Sequence, residues 1–427
     1  MKFLLLNQCF YPDVVATAQH LTDLAAELSA RGHDVTVIAS NRGYDDPQAR
    51  FPRRESWRNI RIIRIPSLSS GKGSRWQRAL NFASFMIVCA LRLLVMRRFD
   101  VVVALTSPPL ISFLGALFVR LKGGKFCFWV MDLNPDEAIA AGWLNAQSIA
   151  ARVLQRMLRY SLKHAERTIV LDRFMRERVI AKGAAPERVA IIPPGSIDDA
   201  VKFSFEGREA FRREHELTDR FVVMYAGNHS PCHPLDTLLD AALKLKTRED
   251  VAFCFVGGGS EHAKVKQFAI RHELSNVKCL PYQPLNELSH SLSAADLHVV
   301  VMGDQFVGIV HPSKIYNIMT VGAPVLYVGP ESSHVTDIAT QNGGRVFLHR
   351  HGDADGVVAS VVALSEELAK AREPRGENLK QIRAKQIFSK QVVLAQLVSA
   401  IGGNTVENLF RSLPDSDDRL TDYHAAH

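Results

Sequence analysis

The chain has 427 residues and 47.5 kDa, with 47% hydrophobic and 22% charged residues, which excludes a disulfide-stapled miniprotein, a filament and a wholly disordered chain. Its length favours two domains over one. The net charge of +8 is uneven: Arg50 to Arg98 holds twelve Lys/Arg against the single acid Glu55, more than the whole excess. Lys2 to Leu6 reads as a strand, and Thr17 to Arg31 places Leu21, Leu24, Ala25 and Leu28 on one helical face before Gly32. Val35 to Ala39 follows as the next strand, and strand-helix-strand over this distance is a parallel crossover unit. Ala79 to Leu91 is a charge-free helix with Arg75 and Arg78 ahead of it and Arg92, Arg97 and Arg98 behind. It suits either an anionic membrane surface or a buried domain position with solvated ends. Val101 to Val119 is also charge-free, but Pro108-Pro109 divides it, so it reads as strand, loop and core helix rather than a membrane span. Further apolar runs at Lys125 to Met131 and Thr168 to Leu171 lead to a break near Pro193-Pro194-Gly195.

A second series begins with the strand Phe221 to Ala226 and a helix over Leu235 to Lys246. Val251 to Val256, the helix Glu261 to His272, Val277 to Leu280, Leu297 to Val301 and Pro324 to Val328 continue it. The fold class is therefore α/β, with two Rossmann-like, doubly wound parallel sheets facing a central cleft. Ligands of such sheets bind outside the carboxyl ends of the strands. The pattern assigns 1–196 to a first domain, 197–385 to a second, 386–402 to a last helix and 403–427 to a disordered polar tail. Six scattered cysteines without a C-x-x-C pair, and no signal-peptide pattern after Met1-Lys2, point to the cytosol, with attachment to the inner membrane face through the basic segment 50–98 as a partner expectation.

Several motifs place chemistry on this frame. The run from Ala16 to Ile38, then Tyr225-Ala-Gly-Asn228, Val256-Gly-Gly-Gly-Ser260, Ala295-Asp296 and Pro312-Ser-Lys-Ile-Tyr-Asn-Ile-Met-Thr-Val-Gly-Ala-Pro-Val325, resembles the family-4 retaining glycosyltransferases. The likeness is nearest to the bacterial branch that builds O-antigen and capsular polysaccharide and carries Pro-Ser-Lys-x-Tyr. It implies a GT-B architecture with an N-terminal acceptor domain, a C-terminal nucleotide-sugar domain and a last helix crossing back. It also implies transfer, with retention, from a nucleoside-diphosphate sugar to a lipid-linked glycan acceptor, without cofactor, metal or nucleic acid. The alternatives are a sugar-nucleotide 2-epimerase on a similar scaffold and a non-catalytic sugar-nucleotide-binding or scaffold protein of a glycan-assembly complex.

Sugar transfer of this kind leaves a diphosphate whose growing charge must be neutralised. Gly257 and Gly258 sit in a strand-to-helix turn where a phosphate or ribose can approach backbone N–H groups, or they form a plain tight turn. Beside Gly227, Asn228 and His233 stand where the family normally offers an Arg and a Lys to the diphosphate. Lys314, with Ser313 before it, is the substitute cation, and a solvated surface lysine is the other reading. His233 becomes cationic beside a diphosphate. Asn317 occupies the place of the family's ribose-binding glutamate, and Gly308 admits the donor sugar or simply makes a turn. In the first domain, His20 follows the place of the family's Gly-Gly loop, where this chain has Val15-Ala16, and core packing is its other reading. Asp132, at a strand end, orients a sugar or acceptor hydroxyl or caps a helix; Asp136 and Glu137 are second candidates. The spacing His229-Ser-Pro-Cys-His233 falls short of a zinc site.

Overall fold

The computed structural model describes residues 1–44, 48–68, 75–195, 201–342, 345–370 and 388–403. The expected tail beyond residue 403, the domain boundary at 196–197 and the junction at 385–386 lie outside those residues.

The first half runs β1 (Lys2–Leu6), α1 (Ala16–Ala30), β2 (Asp34–Ser40), β3 (Arg54–Trp57), β4 (Ile60–Ile65), α2 (Arg75–Leu94), β5 (Val101–Ala104), α3 (Ile111–Lys122) and β6 (Lys125–Trp129). It continues through α4 (Asp136–Ala140), α5 (Ile149–His164), β7 (Arg167–Val170), α6 (Arg173–Ala181) and β8 (Val189–Ile191). These eight strands form one sheet in the order β3-β4-β2-β1-β5-β6-β7-β8, parallel except for β3. Strands such as Val101–Ala104 are buried on both faces, as crossover helices on either side require. The sequence reading missed β3 and β4 because arginines interrupt them. Ile60, Ile62, Ile63 and Ile65 nevertheless enter the core, and the buried Arg64 donates from Nε to Glu55 at 2.8 Å. One cation of the basic segment is therefore an interior ion pair and not a surface charge.

The second half runs α7 (Phe205–Glu214), β9 (Phe221–Asn228), α8 (Asp236–Lys244), β10 (Val251–Gly258), α9 (His262–Arg271), β11 (Val277–Leu280), α10 (Leu288–Ser293) and β12 (Leu297–Val301). Then come α11 (Lys314–Val321), β13 (Val325–Val328), α12 (His334–Asn342), β14 (Val346–His349), α13 (Ala354–Lys370) and α14 (Lys390–Gly402). Its six strands are all parallel, in the order β11-β10-β9-β12-β13-β14. Leu238, Ala242, Val357, Val361 and Leu364 of α8 and α13 cover one face, and Phe211 of α7 with Leu217 packs on the other.

The two halves meet through apolar packing that runs from the first core to Cys232, Phe306, Ile309 and Tyr316. Leu133 N–H donates to Ile309 C=O at 2.8 Å, and Arg178 Nε to Val307 C=O at 2.6 Å. α14 returns to the first half, burying Val393, Leu397, Ala400 and Ile401 there, with Lys390 bonded to Asp23 at 2.7 Å. Among the described residues no helix is long and apolar enough to cross a membrane.

Candidate functional site

The site grows from the carboxyl ends of the second sheet. β9 and β10 finish as Gly227-Asn228 and Gly257-Gly258, paired in register, with Gly227 and Gly257 at φ +128° and +129°. A Cβ on Gly257 would lie 2.1 Å from the Gly227 carbonyl oxygen, so glycine here lets the two strands end in contact. A Cβ on Gly258 would meet the Tyr282 ring at 3.0 Å, and the Tyr282 hydroxyl donates to Gly258 C=O at 3.3 Å. Tyr282 is exposed beside this edge, and the sequence reading did not single it out. Asn228 is exposed at the strand tip, its carbonyl accepting from Tyr225.

Lys314 opens α11, and its stem passes Gly227, where a Cβ would lie 3.4 Å from both Cε and Nζ. Its ammonium stands 3.4 Å over the Tyr225 ring, is buried and has no hydrogen-bond partner. Burial drives its pKa well below the ordinary lysine value. Ser313, at the helix N-cap, makes no side-chain cap bond, so its hydroxyl does not satisfy the α11 amide dipoles. Asn317 is buried one turn further on.

His229 and His233 flank this ammonium, each tied by Nδ1 to a different backbone carbonyl: Gly227 at 3.0 Å and Val301 at 2.7 Å. Burial, then the neighbouring His262 and Lys314, lower His229 to about 4. Burial, then Lys314, lower His233 to about 3. Burial, and then the same lysine, therefore oppose a positive charge on His233 in the ligand-free chain, whereas the expected cation is that of His233 beside a bound diphosphate.

The first half contributes two carboxyls to the rim. Asp132 follows β6 half-buried, and burial followed by the charge of Glu137 raises it to about 8. Glu137 is raised in turn, chiefly by burial; it accepts from Asn134 Nδ2 at 2.9 Å and lies 3.9 Å from Cys232 Sγ of the second half. That thiol is pushed up to about 12 by burial and then by Glu137. Asp136 instead pairs with Lys182 at 2.8 Å.

Two expectations change. His20 is not among these groups: it borders a small cavity with Asp23, Trp129, Pro194, Lys390 and Leu397, under α14. Burial and then Lys390 lower it to about 4, which is the packing alternative rather than a catalytic placement. Gly308, at φ +69°, backs onto the first half, where a Cβ would lie 2.7 Å from the Phe174 carbonyl carbon and oxygen. The close approach that needs glycine is that of protein backbone and not of a sugar.

A further cluster went unread because its members are distant in sequence. Asp172 caps α6 through Met175 N–H at 2.8 Å and accepts from His311 Nδ1 at 2.7 Å, while His311 Nε2 meets the Tyr316 hydroxyl at 2.8 Å. His334 stacks on His311 with centroids 3.9 Å apart. Burial opposes ionisation of Asp172, but His311, His334 and Met175 N–H outweigh it and hold the carboxyl below its ordinary range. Ligand atoms of Asp172, His311 and His334 lie within 4.8 Å of one another. Both ring nitrogens of His311 are already engaged, so the group serves as a hydrogen-bonded link between the halves, two residues before Ser313.

Residues 16–195 match the family described as Glycosyl transferase 4-like domain, and residues 207–381 match Glycosyl transferases group 1. The glycosyl transferase WcaI of Escherichia coli strain K12, named for colanic acid biosynthesis, is 24% identical over 420 residues, covering 94% of this chain and all of that one. Among solved structures, sucrose-phosphate synthase from Thermosynechococcus elongatus superposes with a TM-score of 0.71 at 14% identity, over 96% of this chain and 99% of the other. Anabaena Alr3699/HepE in complex with UDP-glucose gives 0.66 at 17%, over 94% and 99%. Two family matches in chain order, on two parallel-sheet domains with the fold of these structures, mean that the chain belongs to the glycosyltransferases of the GT-B fold.

Proposed function

We propose that the protein is a retaining hexosyltransferase that moves a sugar from a nucleoside-diphosphate sugar to a lipid-linked surface-polysaccharide acceptor, using the second half for the donor and the first for the acceptor. The observation that carries the donor assignment is the buried, unpartnered ammonium of Lys314 at the ends of β9 and β10. An isolated buried charge is costly unless a counter-ion completes it. A diphosphate at this spot meets Lys314, the uncapped start of α11 and, at the strand tips, Asn228, Gly257 and Gly258, with His233 Nε2 turned to hydroxyls and Asn317 one turn into α11. WcaI, named for colanic acid biosynthesis, and HepE, solved with UDP-glucose, support the polysaccharide context and the sugar-nucleotide class.

As the glycosidic bond to the diphosphate breaks, the leaving oxygens gain charge that Lys314 and the α11 dipoles offset. Asp132, with its carboxyl proton retained at neutral pH, donates a hydrogen bond to a sugar or acceptor hydroxyl, and burial, then the charge of Glu137, keep that proton in place. The reaction as read draws on no metal or cofactor.

Titration calorimetry with UDP and GDP tests the donor assignment. An entering diphosphate raises the lowered pKa of Lys314, so binding is linked to proton uptake and affinity falls as pH rises through that titration. Lys314→Gln removes that uptake and weakens binding about 10- to 100-fold, the worth of a charged hydrogen bond. Unchanged affinity in the variant overturns the assignment, and tight binding without turnover over all donors and acceptors favours a non-catalytic scaffold.

A further inference from the structure

The segment between β12 and α11 is pinned to the first half at three points. Val307 C=O accepts from Arg178 Nε at 2.6 Å, Ile309 C=O accepts from Leu133 N–H at 2.8 Å, and His311 Nδ1 donates to Asp172 at 2.7 Å. The first two use main-chain carbonyls, which almost any sequence offers. The third depends on side chains, and of the three it is the one that continues into α11, because His311 Nε2 meets the hydroxyl of Tyr316, two residues past Lys314, at 2.8 Å. Asp172 also caps α6 through Met175 N–H, so a single carboxyl ties the start of α6 to the start of α11.

This chain of bonds has a direction. The Asp172 carboxyl, held below its ordinary range, can only accept, so the neutral ring of His311 carries its proton on Nδ1 and turns Nε2 to the Tyr316 O–H. The side chains of Asp172 and His311 are 6% and 1% exposed and Tyr316 is buried, so the three act through α11 and not on a substrate. α12 reinforces the same joint. His334 stacks on His311, and Asp337 accepts from Nε and Nη2 of Arg173, the residue after Asp172, at 2.6 and 3.1 Å. A buried polar chain with its bonds made rigidifies its surroundings and selects one arrangement of them.

We propose that Asp172 is a positioning residue for sugar transfer: through His311 and Tyr316 it fixes α11, and with it Lys314, against the first-half rim that carries Asp132. Leu133, bonded to Ile309, directly follows Asp132, so the segment 309–316 runs from the rim carboxyl to the donor cation with a fixed point near each end. The inference rests on the donor assignment of Lys314. The groups given to the donor, Lys314, Asn228, Gly257 and Gly258, all belong to the second half and keep their mutual arrangement when the link is cut, since Lys314 stays packed on Gly227 and Tyr225. What changes is their placement against the first half. The link therefore acts on turnover and not on donor affinity, and a misplacement of about 1 Å between reacting groups costs on the order of 100-fold in rate.

Asp172→Asn keeps an oxygen for the α6 cap but sets an amide N–H group against His311 Nδ1–H, and Tyr316→Phe cuts the other end of the chain. Titration calorimetry with UDP and GDP is expected to give wild-type affinity for both variants. Release of UDP or GDP from the corresponding sugar nucleotides at saturating donor is expected to slow about 10- to 100-fold. Hydrogen–deuterium exchange should quicken over residues 305–316 and stay unchanged over β9 and β10. Because the residues form one chain, the double variant should lose no more than the worse single one. Thermal melts identify a variant that fails to fold, and Tyr316→Phe, which removes one hydroxyl, then carries the test alone. Wild-type turnover in folded variants overturns the proposal, as do unchanged exchange over 305–316, additive losses in the double variant, or UDP and GDP binding weakened as far as in Lys314→Gln. Wild-type binding by Lys314→Gln instead sinks the donor assignment, while the split between affinity and turnover in Asp172→Asn still reports on the joint.

Discussion

Asp132 and His20 show what decides a side chain's chemistry. Asp132 was read from its place at a strand end and His20 from the place of the family's Gly-Gly loop, and only Asp132 lies in the cluster around Glu137 and Cys232. Asp132→Asn keeps the shape and a hydrogen-bond donor but removes the titrating proton. A loss in kcat of about 100-fold or more, together with disappearance of any activity transition near pH 8, is expected from steady-state pH profiles if the carboxyl handles a proton. A parallel wild-type and variant profile would exclude that role. Lys314 was singled out through the Pro-Ser-Lys-x-Tyr resemblance, and its buried amino group beside Gly227 departs from the alternative of a solvated surface lysine. The surroundings of His20 were not legible, since they are supplied by Lys390 and Leu397, which a local reading of α1 does not contain. The Asp172–His311–Tyr316 link was likewise invisible, being assembled from both halves.

Elements were legible where hydrophobic runs stood alone. β1, β2, β9, β10 and β12, buried along nearly their whole length, and α1 with its one-faced stripe follow directly from residue pattern. β3 and β4 did not, because the ion pair that lets Arg64 enter the core is tertiary information. β8 and β14, only three and four residues long, give too little periodicity to read. The loop between β12 and α11 joins the two halves, and Gly308 is its tightest point. Gly308→Ala combines a left-handed backbone with a collision against Phe174, so it should lower stability by about 1–3 kcal/mol in urea unfolding and weaken the seating of α11. Wild-type stability in this variant would show that the loop yields without cost.

Across the molecule, buried titratable groups make stability depend on acid. His20, His229, His233 and His334 all have lowered pKa values, so between about pH 6.5 and 4.5 the unfolded chain takes up protons that the folded chain refuses. Asp132 and Glu137, raised by burial, act in the opposite direction over the same window, two groups against four. Stability should therefore fall as pH falls, on the order of 2 kcal/mol per pH unit at the steepest. Thermal melts from pH 7 downward measure this, and His20→Gln should flatten the decline; an acid-insensitive melting temperature would mean that these rings hydrate in place.

The return of α14 to the first sheet makes the lobes topologically inseparable. Gly195, where the chain leaves the first lobe, has the Phe388 carbonyl 2.7 Å from where its Cβ would stand, so the outgoing and incoming crossings touch. A chimera that grafts a foreign donor lobe onto this scaffold has two seams to match instead of one. Splicing only the outgoing seam would leave Val393, Leu397 and Ile401 of the graft seeking a landing strip cut for another sequence.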